Sequence, residues 1–219
     1  MNILYEDNDL LVIEKPAGMP TQSASVRAAD LVSKIKTYLG DTYLGIVHRL
    51  DTPVSGLLVF AKTPAAAASL SKQAQGDQMC KHYTAIVEGK VEQTAEPVIL
   101  TDYLVKDSTK NMALIVPKNT KDAHGKSAKC AKLSYEVRAY DDKADTTTLN
   151  IQLLTGRFHQ IRAQLSHLGH PILYDVKYGA KKPAASKETA GIALCAYDLV
   201  FIHPSTGEKM HFQIPNSSL

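Results

Sequence analysis

His48-Arg49-Leu50-Asp51-Thr52-Pro53-Val54-Ser55-Gly56-Leu57-Leu58-Val59-Phe60-Ala61-Lys62-Thr63-Pro64 holds a loop, a strand and a helix start in one short stretch. Gly56 to Ala61 is apolar without alternation, which is how a short strand buried on both faces reads. Thr63 is an N-cap residue and Pro64 suits the first helical position, so a helix follows. It runs through alanines to Gln75, and Gly76 closes it. Asp51 therefore lies on a loop directly ahead of a buried strand.

Working outward, Leu10-Leu11-Val12-Ile13 is a second buried-type run, ended by Glu14-Lys15-Pro16 and Gly18. Between Ala28 and Leu39, Leu31, Ile35, Tyr38 and Leu39 have helical spacing, with Gly40 as the stop. Downstream, residues 82–87, 98–105, 113–116, 133–140 and 147–154 read as strands. His159 to Leu168 places Ile161, Leu165 and Leu168 on one helical face, stopped by Gly169 and Pro171. Residues 179–190 read as a surface loop, and 192–202 and 209–214 as final strands. No repeat is visible. The expected class is α+β, with a large mixed, mainly antiparallel sheet and flanking helices. A length of 219 residues suits one domain of two lobes around a central cleft.

Composition narrows the function little. Apolar residues at 44% suffice for a core, and a net charge of +3 permits a polyanionic partner without demanding one. Cys80, Cys130 and Cys195 lack metal-ligand spacing and imply no disulfide framework. The N-terminus carries acids where a signal peptide carries bases, and no apolar run could span a bilayer. A cytoplasmic protein without a metal or a membrane partner is expected. Gly125-Lys126-Ser127 resembles the end of a phosphate loop, but Thr120 stands where its first glycine belongs.

Two clusters carry candidate chemistry. Arg49 beside Asp51 would keep that carboxylate ionised, as a nucleophile requires. An ion pair that only staples the loop is the commoner use of such residues. Arg157, His159, Gln160 and Arg162 crowd a helix N-terminus. Two arginines there oppose the helix dipole, so a phosphate or a buried carboxylate is their natural partner, unless they lie on a solvated face. Tyr83 could stack on a base or simply be a half-buried strand residue. His167 and His170 read as surface or loop histidines. Lys106, Lys110, Lys118, Lys121, Lys126, Lys129 and Lys132 face only Asp107 and Asp122 over their stretch. Lys177, Lys181, Lys182 and Lys187 form a second basic run. Either run could track an RNA backbone or be a solvated face.

The stretch from His48 to Lys62 resembles the signature of RNA pseudouridine synthases of the large-subunit-rRNA (RluA) type. Three further blocks resemble that family in the same order: Glu14–Met19, Lys81–Gly89, and Thr155–Arg162 continuing to Gly169-His170-Pro171-Ile172. The resemblance implies an isomerase that converts uridine in RNA to pseudouridine without cofactor, metal or energy source. It implies Asp51 as nucleophile, Arg157 as its charge partner and Tyr83 as the platform under the uracil. Arg49 would fill the space left by the flipped base, and His48, His159, Gln160 and Arg162 would contribute to substrate binding. The implied partner is an rRNA or tRNA stem-loop, bound by a monomer. Residues 1–219 would form one catalytic domain without an N-terminal S4-type domain. The sequence departs from the family pattern at Pro53-Val54, at Phe158 (commonly Thr or Ser), at Tyr174 (commonly glycine) and at Cys195 (commonly histidine).

Two other readings stay open from residues alone. One is a non-catalytic RNA-binding protein of the same fold, for which RNA binding would be indifferent to Asp51. The other is a carboxylate-dependent hydrolase of a small substrate, but no second carboxylate stands in a matching block.

Overall fold

The computed structural model describes residues 1–23, 29–181 and 191–215. The chain forms two compact units. Among the described residues, one comprises Met1–His82 and 195–215, and the other comprises 83–194. Their boundaries fall inside strands β5 (Cys80–Glu88) and β10 (Leu194–Ile202).

The first unit is built on β2 (Leu10–Lys15) and β4 (Ser55–Ala61), paired antiparallel from Leu10↔Ala61 to Lys15↔Gly56. β1 (Asn2–Glu6) extends the sheet beyond β2. β10 joins β4 in parallel through Cys195↔Ser55 and Ala196↔Gly56, and β11 (Lys209–Gln213) pairs with β10. The two-residue β3 (Gly45–Ile46) pairs with the end of β4. The apolar runs are continuous because both faces are covered. Leu10, Val12, Leu57 and Val59 pack with Leu70, Leu199 and Phe201, while Leu11, Ile13, Leu58 and Phe60 on the other face are equally buried.

Both helices of this unit are set by their caps. Asp30 accepts the Ser33 amide at the start of α1 (Leu31–Leu39), and Gly40 ends it in the left-handed region. Thr63 accepts the Ala66 amide at the start of α2 (Pro64–Gln75). At Gly56 only glycine fits. Its φ is +121°, and a Cβ there would lie 2.3 Å from the Ala196 carbonyl oxygen. That close approach fixes where β4 begins, and hence where the Asp51 loop ends.

The second unit has strand order β5-β9-β8-β6-β7, with β6 Val98–Asp107, β7 Met112–Ile115, β8 Lys129–Asp141 and β9 Thr146–Leu153. The β6–β7, β6–β8 and β8–β9 pairs are antiparallel. Helix α3 (Gln160–His167) packs on β6 and β7, over a core of Leu104, Ala113, Ala131, Ala163 and Tyr178. The observed class is therefore α+β with mixed, mainly antiparallel pairing. Sequence reading did not foresee β1, β3 or the 3₁₀ turn Val176–Tyr178. Lys182, Lys187 and most of the expected 179–190 loop lie outside the described residues.

Tyr174 sits in the left-handed region at φ +71°. A bulky L side chain there costs about 1–2 kcal/mol, which glycine avoids. We expect Tyr174→Gly to be more stable than Tyr174→Ala by about 1 kcal/mol, reversing the usual order of those residues. Equal urea midpoints for the two variants would show that the backbone is unstrained.

Candidate active site

The segment after β2 holds the Asp51 loop on both sides of the carboxylate. Lys15 is fully buried at the end of β2. Its ammonium donates to the carbonyls of Pro16 (3.0 Å), Met19 (2.8 Å) and Thr52 (3.2 Å). The Gly18 amide also donates to the Thr52 carbonyl, at 2.9 Å. On the other side of Asp51, the Thr21 hydroxyl donates to the Leu50 carbonyl (2.8 Å) and accepts the Leu50 amide (3.3 Å). The Val54 amide closes a turn onto the Asp51 carbonyl at 3.0 Å. Residues 50–52 are thus fixed from a segment some thirty residues earlier. Burial lowers the Lys15 pKa to about 8, and the Asp51 charge works against that fall. The Lys15 ammonium and the partly buried Asp51 carboxylate thus act on one another through their charges.

His48 and Arg49 divide their expected roles. Arg49 is exposed. The His48 Nε2 accepts the Val59 amide of β4 at 3.4 Å. Burial, with the neighbouring Lys81 charge, pushes the His48 pKa down to about 3. His48 is therefore neutral, and this contact ties the loop to its strand.

The second unit carries the other candidates. Tyr83 is buried on β5. Arg157 is exposed, and its Nε donates to the Cys130 carbonyl at 2.9 Å. That bond uses Nε and not the two terminal amino groups. Gln160 is buried and bonds to the Thr155 hydroxyl, the Arg157 amide, the Lys132 carbonyl and Gln164. Arg162 is buried as well. Its Nε and one terminal nitrogen each meet an Asp175 oxygen at 2.7 Å, and the guanidinium lies 4.8 Å from the Tyr178 ring centre. Of the partners open to this arginine cluster, a buried carboxylate is the one found for Arg162. Both side chains are engaged within the fold, and they help to set the backbone from which Arg157 projects.

His159 precedes α3 in the left-handed region, φ 49°. Its ring stacks on Phe158 at 3.8 Å and its Nδ1 lies 2.9 Å from the Tyr178 hydroxyl. Burial lowers its pKa to about 3, helped by the charges of Arg162, Lys177 and Lys106. The Lys106 ammonium sits 4.5 Å from the Phe158 ring centre. Phe158, a departure from the family pattern, thus fills a place between a lysine and a neutral histidine.

Two neutral histidines predict a pH dependence of stability. Both folded pKa values lie below the unfolded value of about 6.5, so the unfolded chain takes up protons first as pH falls. Their contribution is complete above about pH 6.5 and is lost progressively toward pH 3. We expect unfolding free energy at pH 5 to fall below that at pH 7.5 by on the order of 2 kcal/mol per histidine. His159→Gln should flatten part of this slope in urea titrations; an unchanged slope would mean that His159 is protonated in the fold.

Sequence reading missed Lys15 and Thr21 as parts of the site. The Lys15-Pro16 pair was visible, but its contacts with residues 50–52 are not local. Among the described residues, no helix is long and apolar enough to cross a membrane, and no group of three or more His, Cys, Asp or Glu is placed to hold a metal ion.

Comparison with known proteins places the chain in a family. Residues 9–167 match the family model described as RNA pseudouridylate synthase. The ribosomal large subunit pseudouridine synthase C of Buchnera aphidicola subsp. Schizaphis graminum is 34% identical over 225 residues, covering 98% of this chain and 67% of that protein. An uncharacterized RNA pseudouridine synthase of Chlorobaculum parvum is 37% identical over 238 residues, covering 98% and 70%. The chain thus spans about two thirds of the length of these relatives. Among solved structures, human RNA pseudouridylate synthase domain containing 4 superposes with a TM-score of 0.75 at 22% identity, covering 98% of this chain and 88% of that one, which is a likeness of fold. The chain belongs to the RNA pseudouridylate synthase family, in its large-subunit-rRNA (RluA) type, and is an isomerase that acts on RNA.

Proposed function

We propose that this chain converts uridine in ribosomal RNA to pseudouridine, with Asp51 as the nucleophile. The observation that carries the assignment is the double restraint of residues 50–52 by Lys15, Gly18 and Thr21, with a buried ammonium beside the carboxylate. An acid on a loop held in place, within reach of a cation's charge, suits nucleophilic chemistry at a sugar or a base. In the net reaction the N1–C1′ bond breaks, a C5–C1′ bond forms, the C5 proton leaves and N1 takes one up. Arg157 is the proposed charge partner of Asp51, and Tyr83 the platform under the uracil. Extruding a base costs a few kcal/mol, and an inserted Arg49 would offset part of it. His159 is proposed to touch substrate as a neutral imidazole. Ribosomal RNA is favoured over tRNA because curated relatives are named for the large ribosomal subunit. We further propose that the chain acts as a cytoplasmic monomer, in keeping with its free cysteines.

The test is tritium release from cellular RNA labelled at uridine C5, coupled to pseudouridine sequencing of cells with and without the protein. Release, and a missing rRNA pseudouridine in the deleted cells, is the expected result. A missing tRNA site would redirect the substrate assignment, and no release from any RNA would reject the activity.

A further inference from the structure

Strand register in the second unit sorts side chains onto two faces. Ile99↔Ser134, Thr101↔Lys132, Tyr103↔Cys130 and Val105↔Leu114 are directly paired, so these eight residues share one face. The opposite face carries Leu104, Ala113, Ala131 and Leu133, all buried, under α3. On the first face none of the eight is buried. Ile99 is 63% exposed and Leu114 38%, and Thr101 and Lys132 are exposed as well. This is an open, partly apolar sheet surface with an aromatic residue in it.

Its charge is one-sided. The Lys118 ammonium lies 5.9 Å from the Tyr103 ring centre, and Lys132 stands opposite Thr101. Glu136, two residues beyond Ser134 on the same face, pairs with Arg138 at 3.3 Å, and the other acids of this stretch are engaged elsewhere. Asp102 faces the other way and accepts from Gln164. Asp107 caps the amides of Thr109 and Lys110, and Asp122 those of His124 and Lys126. At one edge, Arg157 donates to the carbonyl of Cys130, the neighbour of Tyr103 across the pair. The surface therefore runs up to the arginine assigned to the reacting centre.

We infer that this face of β6, β7 and β8 is a binding platform for substrate RNA outside the reacting uridine. An unpaired base flanking the target stacks on Tyr103, apolar contact spreads over Ile99 and Leu114, and Lys118 and Lys132 hold the phosphates on either side. Base–aromatic stacking tolerates any sequence, and lysine–phosphate contacts make binding salt-dependent. A neutral protein surface would fit the apolar residues but leave the lysines unmatched, whereas a single strand of RNA supplies both a stacking base and flanking phosphates. The inference rests on the RNA-modifying activity proposed above.

The experiment uses the full chain and tritium-labelled RNA from cells that lack it. Wild type is compared with Tyr103→Ala, Tyr103→Trp and the double variant Lys118→Ala/Lys132→Ala, whose two side chains are exposed and need no repacking. The expected result is a rise in KM and Kd of about tenfold for Tyr103→Ala and for the lysine pair, with kcat within about twofold. Tyr103→Trp should restore tight binding. For the lysine pair, the slope of log Kd against log salt should flatten by about 1.4, the value for two contacts to a single strand. Unchanged Kd and salt slope in both variants would overturn the platform. So would variants that leave RNA binding intact and abolish an assembly of wild-type chains in sedimentation, which would mark a protein interface. A wild-type chain that releases no tritium would reject the proposed activity, and the Kd comparison would still decide the platform.

Discussion

Asp51→Asn removes isomerisation by at least about a thousandfold in kcat while the protein stays folded. Loss of a nucleophile takes away the covalent route, and about 4 kcal/mol of barrier corresponds to that factor. The fold should tolerate the change because backbone atoms hold the loop. Lys15 and Gly18 bind the Thr52 carbonyl, Thr21 binds both polar groups of Leu50, and Val54 binds the Asp51 carbonyl. None of these bonds uses the Asp51 carboxylate. The variant also loses the charge that opposes the fall of the Lys15 pKa. Lys15 in Asp51→Asn should therefore lose its proton below the wild-type value of about 8. Asp51→Glu keeps the charge and moves it by about one bond length, so it should fold and retain the Lys15 pKa. It should still lose about a hundredfold in rate, because reacting atoms must meet within a fraction of an ångström. Tritium release and a circular-dichroism melt on the same samples check both halves. An Asp51→Asn chain that still isomerises RNA at the wild-type rate would remove Asp51 from the chemistry.

The parts of this molecule that sequence makes legible are those decided by near neighbours. The apolar runs of β2 and β4 announce strands covered on both faces, and Thr63-Pro64 and Gly40 mark helix ends through contacts three or four residues away. The start of α1 is set partly from outside. Leu31 and Val32 donate to the carbonyls of Pro20 and Thr21, and the helix begins later than its apolar spacing suggests. β1 escapes notice because an edge strand with only partly buried residues lacks a strong pattern.

The same distinction runs through the site. Asp51, Tyr83 and Arg157 stand out by motif, and their order along the chain carries the family signal. Lys15, Gln160, Arg162 and Gln164 look like surface residues because polar side chains usually are. They are buried because each meets a partner far along the chain: Lys15 the Thr52 carbonyl, Gln164 the Asp102 carboxylate, Arg162 Asp175. A motif reading cannot see that Gln160 and Arg162, whatever they do toward RNA, also hold the scaffold together. Fully satisfied buried polar groups of this kind fix one arrangement of the backbone around Arg157, since each leaves an expensive unpaired atom in any other.

Asp175→Ala is expected to be the most destabilising single substitution in the second unit. The Arg162 and Asp175 side chains are 5% and 1% exposed and meet through two 2.7 Å contacts. Removing the carboxylate leaves a guanidinium buried without its counter-ion, a change that costs about 3–5 kcal/mol. Total stabilities of such domains are about 5–15 kcal/mol, so the variant sits near the edge of folding. For a chain of this length that loss lowers the thermal midpoint by roughly 6–20 °C. Arg162→Met should cost less, because an apolar side chain replaces most of the buried stem and the remaining Asp175 carboxylate can take up a proton. Replacing both, Arg162→Met with Asp175→Leu, should recover much of the Asp175→Ala loss, since a buried ion pair and an apolar pair of similar volume come close to balance. Thermal melts of the two single variants and the double variant measure the coupling directly. If Arg162 instead served RNA, Asp175→Ala would melt with the wild type, and Arg162→Met would weaken RNA binding with an unchanged midpoint. A large coupling energy with an unaltered RNA salt slope assigns the pair to the scaffold and leaves Arg157 as the arginine of this helix start that meets substrate.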